Sequence, residues 1–299
     1  MLTYPYKYPF IMLEYSELKK KIFFVTNNST KSRKGYLKKF KELGLGITLP
    51  FFFLFFFFFI FFVFSILLLP FFINYNTVDV QAEEIFSSSF AAAAYLDQSK
   101  FIDTKKKVYI IGDVGIGEEL DLLNIPHFGG PADSSKVIKL APGVKVDHDH
   151  DVGAVIVGFD ANINYYKIQY AQLCINENPG CQFIATNLDA VTHLTEAQEW
   201  AGNGAMVGAI KGCTGKEPLV VGKPSGLMID YLIEKFGMER SRICMVGDRL
   251  DTDVLFGTDN GLQTVLTLSG VTDEETLLSA GNKIRPDYYV DSIADFFKL

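Results

Sequence analysis

Short apolar runs alternate with amphipathic stretches along most of the chain. The apolar runs are continuous and rich in β-branched side chains, which is typical of strands buried on both faces of a parallel sheet. Successive pairs of run and amphipathic stretch include KIFFVT with STKSRKGYLKKFKEL, KVYIIG with EELDLLN, GAVIVGF with YYKIQYAQLCI, PLVVGK with GLMIDYLIEKF, and ICMVGD with DTDVLFG. Strand followed by helix, repeated, predicts an α/β protein with right-handed crossovers, and the number of units predicts two α/β domains.

One tract breaks this pattern. Residues 49–76 read LPFFFLFFFFFIFFVFSILLLPFFINYN and contain 13 of the 27 phenylalanines of the chain. The tract is long enough to span a bilayer, for which about 20 apolar residues suffice, and lysines precede it. Its residues also share T-rich codons, and the flanking text is continuous without it. We therefore favour a retained intron, and expect no membrane association unless the tract is genuine.

Composition limits the classes of partner. The chain has 299 residues with 35 acidic and 28 basic side chains, a net charge of −7. This balance argues against nucleic acid or an anionic membrane as a general partner and leaves a small phosphorylated substrate open. The four cysteines form no C-x-x-C pair and no zinc spacing, so we expect reduced thiols in a reducing compartment.

Two candidate anion-binding segments follow predicted strands. The first is Val25-Thr26-Asn27-Asn28-Ser29-Thr30, where hydroxyl, amide and backbone N–H groups precede a basic helix. Such a turn binds an anion, or is an ordinary helix cap. The second is Gly222-Lys223-Pro224-Ser225. Its lysine is either a point charge for a phosphoryl group or a surface residue at a strand end.

The most specific segment is Met245-Val246-Gly247-Asp248-Arg249-Leu250-Asp251-Thr252-Asp253. An apolar strand here delivers three carboxylates, and Mg²⁺ typically takes one or two carboxylates from a protein. Asp248, the first after the strand, is the predicted direct ligand. Asp253 is predicted to orient the site from the first turn of the following helix. Helix capping explains one of these aspartates but not all three.

Two further segments are weaker candidates. Residues 112–117 read GDVGIG, which has the wrong glycine order for a dinucleotide loop, so we predict a plain strand-to-helix turn. A dinucleotide-dependent enzyme is correspondingly disfavoured. His148 and His150 alternate with aspartates in DHDHD, and we predict a solvated linker rather than a metal site.

Taken in order, VTNNST, GKPS and MVGDRLDTD resemble the haloacid-dehalogenase superfamily of phosphatases. The chain is most similar to the 4-nitrophenylphosphatase/phosphoglycolate phosphatase branch, and to its plant members in INYYKIQYAQLCINENPGCQFIATN, DAVTHLTEAQEWAG and GNKIRPDYY. The resemblance runs from about Leu18 to Leu299, apart from the Phe-rich tract. It implies an α/β fold with a Rossmann-like parallel-sheet core and an inserted α/β cap. The implied division is core at 1–94, cap at 95–216 and core at 217–299.

The resemblance also implies a mechanism. An aspartate attacks phosphorus and forms an aspartyl-phosphate, a second aspartate acts as acid and base, and Mg²⁺ bridges carboxylates and phosphate. Thr26, Asn27 and Asn28 would bind the phosphate, Lys223 would neutralise charge on nucleophile and phosphate, and Asp248 would hold Mg²⁺. The implied cap loop would bring Asn187 and Asp189 to the substrate.

Two departures from the family affect function. Leu188 stands where the family usually has an arginine, which bears on substrate preference. The family nucleophile lies in an Asp-x-Asp-Gly motif ahead of VTNNST, yet the first aspartate here is Asp79.

We therefore expect a phosphatase of small organic phosphates, 2-phosphoglycolate first, that is inactive as written. The alternative is a non-catalytic phosphate-binding or membrane-associated protein. Chloroplast and cytoplasm both remain open, because the start leaves a transit peptide unassessable.

Overall fold

A computed structural model describes residues 21–42, 80–195, 197–293 and 295. The predictions about residues 49–76 and about the segment before residue 21 therefore concern parts of the chain outside the described residues. Among the helices in the described part, none has both the length and the apolar character needed to cross a bilayer.

The strands are short and are spread along the whole described chain. They are β1 Phe24–Thr26, β2 Ile85–Ser87, β3 Lys107–Ile111, β4 His127–Gly129, β5 Val152–Val157, β6 Gln182–Ala185, β7 Val191–Thr195, β8 Gln198–Ala201, β9 Leu219–Val220, β10 Cys244–Gly247, β11 Gln263–Thr267 and β12 Tyr288–Val290.

Helices separate most of these strands, as the alternating pattern predicts. They are α1 Arg33–Glu42, α2 Ser88–Gln98, α3 Val114–Leu122, α4 Tyr165–Glu177, α5 Asn203–Thr214, α6 Leu227–Phe236, α7 Leu255–Asp259 and α8 Glu274–Leu278. Polar side chains begin several of them: Ser87 accepts a hydrogen bond from the Phe90 amide, and Asn164 from the Lys167 amide. Such N-caps satisfy amides that the first helical turn leaves unpaired.

Three of the four sheets in the described residues are parallel, which confirms the predicted α/β class. A five-stranded sheet has the order β4-β3-β5-β6-β9, and β10, β11 and β12 form a second sheet. Strands β1 and β2 form a parallel pair, whereas β7 and β8 form an antiparallel hairpin.

The core covers both faces of the five-stranded sheet. On one face Ile110 and Ile156 pack in a cluster that includes apolar side chains of α2, α3 and α6. On the other face Tyr109 and Val155 pack in a cluster that includes side chains of α4 and α5. Successive strand residues point to opposite faces, so burial on both sides requires a continuous apolar run. This explains why these strands lack polar alternation.

The strand that leads to Lys223 extends the same sheet. Strand β9 pairs with β6 through Ile184 with Leu219 and Ala185 with Val220. The sheet therefore passes across position 216, where the resemblance places the end of the cap. The domain boundaries at 94 and 216 stay predictions.

The glycine-rich segment 112–117 is a strand-to-helix turn. Asp113 caps α3 by accepting a hydrogen bond from the Val114 amide. A Cβ on Gly115 would collide with the backbone of Lys31, so this glycine permits close packing of α3 against the segment after β1.

The linker prediction at the two histidines holds in part: residues 147–151 lie in an irregular segment and His150 is exposed, but the segment is tied to the protein. Nε2 of His148 and Nδ1 of His150 lie 3.0 and 3.3 Å from Oδ1 of Asn178, and the two imidazole centroids are 4.5 Å apart. The His148 side chain is only 5% exposed. Asn178 itself is buried and donates to the backbone carbonyls of Asp149 and Val152, so the histidines fasten this segment to α4.

Candidate functional site

The predicted anion-binding turn, residues 26–30, is folded by its own polar groups. The Asn28 amide donates to the Thr26 hydroxyl over 3.2 Å. The Asn28 side-chain oxygen accepts from the amide and the hydroxyl of Thr30 at 2.9 and 2.7 Å. Side-chain hydrogen bonds of this kind stabilise tight turns. The turn therefore follows β1 directly, at the strand end where open α/β sheets bind ligands.

Asn27 connects this turn to two distant segments. Its buried carboxamide accepts from the Lys223 amide at 2.8 Å and donates to the Lys223 carbonyl at 3.1 Å. It also donates to Oδ1 of Asp189 at 3.1 Å. Because these contacts engage both ends of the amide, its side chain acts within the protein. Contact of Asn27 with an anion would fall to its main-chain N–H.

Lys223 lies inside the site rather than on the surface. Its side chain is 8% exposed and forms an ion pair with Oδ1 of Asp253, which is 7% exposed. The ammonium also donates to the Val25 carbonyl over 3.3 Å. A buried ammonium requires such partners, because burial removes its hydration. The ion pair thus fixes a positive charge beside the end of β1.

Asp253 builds the turn that carries Asp248. Its Oδ2 accepts from the amides of Asp248 and Arg249, both at 3.2 Å. Asp248 is half-buried, and its Oδ2 accepts from the Val271 amide at 2.9 Å. A Cβ on Gly270 would collide with the Asp248 carboxylate, so glycine is required there. Asp248 is consequently held at the carboxyl end of β10.

Asp251, the third carboxylate of the segment, pairs with Arg249. Nε and Nη2 of Arg249 donate to its two oxygens at 3.0 and 2.6 Å. This bidentate hydrogen bonding keeps the pKa of Asp251 below its ordinary value. Burial raises the pKa of Asp189, while the Asn27 hydrogen bond and the Arg249 charge act in the opposite direction.

A continuous set of contacts brings most of the predicted residues together. Lys223 contacts the carbonyl of Val25, next to Thr26, and pairs with Asp253, which in turn holds the Asp248 amide. Asn187 and Asp189 join this set through Asn27. The Asn187 side-chain amide donates to the Asn27 main-chain carbonyl at 2.6 Å, and the Asn27 side chain donates to Asp189. Asn28 is exposed and bonds within its own turn. The roles assigned to these residues stay predictions.

Three supporting residues were missed by the sequence analysis. Ser88 donates to the Asn27 carbonyl at 2.6 Å. The side-chain amide of Asn203 donates to the main-chain carbonyls of Val157 and Asn187 at 3.3 and 2.8 Å, and to the Thr186 hydroxyl at 3.2 Å. Arg249 is the third. A run of three serines after the apolar pair Ile85-Phe86 was the available signal for Ser88, whereas nothing local distinguishes Asn203.

Among the three aspartates of residues 248–253, Asp248 is the candidate ligand for Mg²⁺. Nowhere in the described ranges do three or more His, Cys, Asp or Glu side chains cluster as a metal site. Asp253 is engaged by Lys223 and two amides, and Asp251 by Arg249. Asp248 pairs with no cation among the described side chains. Since Mg²⁺ often takes one or two protein carboxylates with water and phosphate oxygens, Asp248 fits that role.

Comparisons with known proteins give consistent matches. A family model described as HAD-hydrolase-like matches residues 220–296. Phosphoglycolate phosphatase 1A, chloroplastic, of Arabidopsis thaliana is 56% identical over 277 residues, covering 93% of this chain and 67% of that protein. Phosphoglycolate phosphatase 2 of the same organism is 49% identical over 280 residues, covering 94% and 82%.

The fold matches a solved structure over almost its full length. A p-nitrophenyl phosphatase from Archaeoglobus fulgidus superposes with a TM-score of 0.71 and 28% sequence identity. The alignment covers 96% of this chain and 89% of that one.

Proposed function

Because the chain belongs to the haloacid-dehalogenase-like phosphatases, in the branch of phosphoglycolate phosphatases and 4-nitrophenylphosphatases, we propose that its site is built for 2-phosphoglycolate, with Mg²⁺ as cofactor. Identities of 56% and 49% over more than nine-tenths of the chain place it among the phosphoric monoester hydrolases of small phosphates.

One observation carries the proposal. A buried Lys223–Asp253 ion pair lies between the end of β1, with Thr26, and the end of β10, with Asp248. A hydroxyl, an ammonium and a carboxylate at one edge of parallel strands suit a phosphate monoester and a divalent cation. The names of the two Arabidopsis relatives support 2-phosphoglycolate as the substrate and, for one of them, the chloroplast as the location.

Each residue then has a defined task. The Thr26 hydroxyl and the main-chain N–H of Asn27 hold phosphate oxygens, as backbone N–H groups before a helix readily do. Lys223 offsets negative charge on the phosphoryl group, and Asp253 holds the ammonium in position. Asp248 would bind Mg²⁺, which when bound acts as a Lewis acid toward the phosphoryl group.

The reaction of this family requires an aspartate as nucleophile. Its carboxylate oxygen forms a bond to phosphorus while the ester P–O bond breaks, and the departing glycolate oxygen takes a proton from a neighbouring acid. Water then hydrolyses the aspartyl-phosphate to inorganic phosphate. The sequence contains no Asp-x-Asp-Gly, so we propose that these 299 residues bind the substrate without turning it over.

The test compares phosphate release from 2-phosphoglycolate by two proteins that both lack residues 49–76. One keeps residues 1–20; the other carries in their place a strand with Asp-x-Asp-Gly and its following helix. We expect Mg²⁺-dependent turnover only in the second protein, and its loss on Asp248→Asn. Comparable turnover by the first would show that another residue serves as nucleophile. If the second protein hydrolyses 4-nitrophenyl phosphate but not 2-phosphoglycolate, the proposed substrate is wrong.

A further inference from the structure

A phosphorylated two-carbon acid carries two anionic groups separated by a few bonds. Whatever binds its carboxylate must therefore border the phosphate site. Leu188, which stands where the family usually has an arginine, is exposed and has no side-chain donor. Lys223 is engaged by Asp253 and the Val25 carbonyl. Another cation at this edge is needed.

Arg249 has the required position, because it directly follows Asp248. Its side chain is 17% exposed, and its amide is held by Asp253. Asp251 takes hydrogen bonds from Nε and Nη2. A guanidinium has five N–H donors in a planar fork, and Nη1 has no hydrogen bond to any residue that the structure describes. Arg249 can therefore bind a further acceptor in the same plane.

Hydrogen bonds place Arg249 in the turn that carries Asp248. Asp253 accepts from the main-chain amides of both Asp248 and Arg249 and pairs with Lys223. The charge of Arg249 also acts on Asp189, which is bonded to Asn27. Arg249 therefore belongs to the turn that borders the predicted phosphate site.

We propose that Arg249 binds the carboxylate of the substrate, an inference that rests on the proposed function. Asp251 is its protein partner, and that side chain is 63% exposed, so it can move into solvent when a substrate carboxylate takes its place. The exchange replaces one bidentate carboxylate contact by another and needs no rearrangement of the buried Lys223–Asp253 pair. Arg249 would then determine the preference for acidic phosphomonoesters over neutral ones.

The test measures affinities of the full chain by titration calorimetry with Mg²⁺, while phosphate release is followed in the same samples. The ligands are 2-phosphoglycolate and 2-hydroxyethyl phosphate, which lacks the carboxylate. We expect the wild type to prefer 2-phosphoglycolate by about ten- to a hundredfold, the effect of a charge-assisted contact. Arg249→Gln should bring this ratio close to one, and Arg249→Lys should retain part of it.

Two variants separate direct binding from other effects. The double variant Arg249→Gln/Asp251→Asn removes one positive and one negative charge, so the net charge near the site is unchanged. If Arg249 binds the carboxylate directly, the double variant still lacks the preference for 2-phosphoglycolate. Arg240→Gln removes a surface arginine that also pairs with an aspartate, Asp230, and should leave both affinities unchanged.

The inference is overturned if Arg249→Gln keeps the preference, if it weakens both ligands equally, or if the double variant restores the preference. A wild type without preference would refute the proposed substrate, and this inference would fall with it.

Discussion

A single carboxamide, that of Asn27, joins segments that lie far apart in sequence. It bonds the main chain of Lys223 in both directions and also Asp189, at separations of 196 and 162 residues. From the sequence, an asparagine at this position is equally a helix cap or an anion ligand. Its role in joining the segments of Lys223 and Asp189 depends on how those segments pack in the fold, which the local sequence does not show.

Asn27→Asp should destabilise the protein by about 2–3 kcal/mol, because a carboxylate cannot donate to the Lys223 carbonyl and would face Asp189. The matched control is Asn28→Asp in the same turn, where the side chain is exposed and acts as an acceptor. Urea unfolding measures both. Equal losses in the two variants would show that the buried contacts of Asn27 contribute little.

The raised pKa of Asp189 gives stability a defined pH dependence. Its pKa lies above the ordinary 3.8 because of burial, so the folded state binds the proton more tightly than the unfolded state. This contribution is therefore complete below pH 3.8 and is lost as pH rises through the folded-state pKa.

Asp189→Asn should remove this contribution while keeping an oxygen for the Asn27 amide. We expect the variant to be at least as stable as the wild type at neutral pH and to have a less negative slope of stability against pH above 3.8. Urea midpoints across that range measure the slope. An unchanged slope would show that Asp189 keeps an ordinary pKa.

At the scale of elements, the apolar runs predicted several of the strands, β1, β3, β5, β9 and β10, and the strand ends that carry the candidate site residues. Carboxyl ends of parallel strands share one edge, so Thr26 after β1 and Asp248 after β10 were expected to lie on the ligand side. The pairing of β9 with β6 was not predictable, since a two-residue strand carries no register information. The hydrogen bonds of His148 and His150 to Asn178 were not predicted either, because Asn178 lies about 30 residues away at the end of α4.

The loop after β6 depends on one such distant contact, through Asn203 at the start of α5. Asn203→Ala would remove the donor of the Asn187 carbonyl, whereas the Val157 carbonyl keeps the Thr186 amide and the Thr186 hydroxyl keeps Ser29. An unpaired buried acceptor costs about 1–3 kcal/mol, so urea unfolding should detect a loss of that size. Amide exchange at residues 187–189 should also accelerate. Asn162→Ala, at an exposed position before α4, is the control, and an equal effect there would contradict the assigned role.

At the scale of the whole molecule, the family, the α/β class and the phosphatase activity were accessible from ordered motifs. Lys223 follows β9 of the five-stranded sheet, and Asp248 follows β10 of the three-stranded sheet. Asp253 joins them, because it pairs with Lys223 and accepts from the Asp248 amide. The sequence could not supply the arrangement that makes the site work, namely which aspartate pairs with which cation. Asp251 and Asp253 are two residues apart, yet one pairs with Arg249 and the other with Lys223.

Deleting residues 49–76 should increase the soluble yield strongly without changing the fold. An uncharged tract with 13 phenylalanines has the composition that favours aggregation or membrane association. The yield of soluble protein and the far-UV circular dichroism spectrum measure the two parts of this prediction. Unchanged solubility, or loss of the folded spectrum, would favour a genuine structural segment over a retained intron.

The central claim is that Thr26, Lys223 and Asp248 form one site for phosphate and Mg²⁺. The most direct measurement is the affinity of the full chain for inorganic phosphate with and without Mg²⁺, in the wild type and in Asp248→Asn. If one site holds both, Mg²⁺ tightens phosphate binding in the wild type, and this coupling is reciprocal. We expect the coupling to disappear in Asp248→Asn, while phosphate binding without Mg²⁺ persists through Lys223 and Thr26. A wild type in which Mg²⁺ leaves phosphate affinity unchanged, or a variant that keeps the full coupling, would contradict the account.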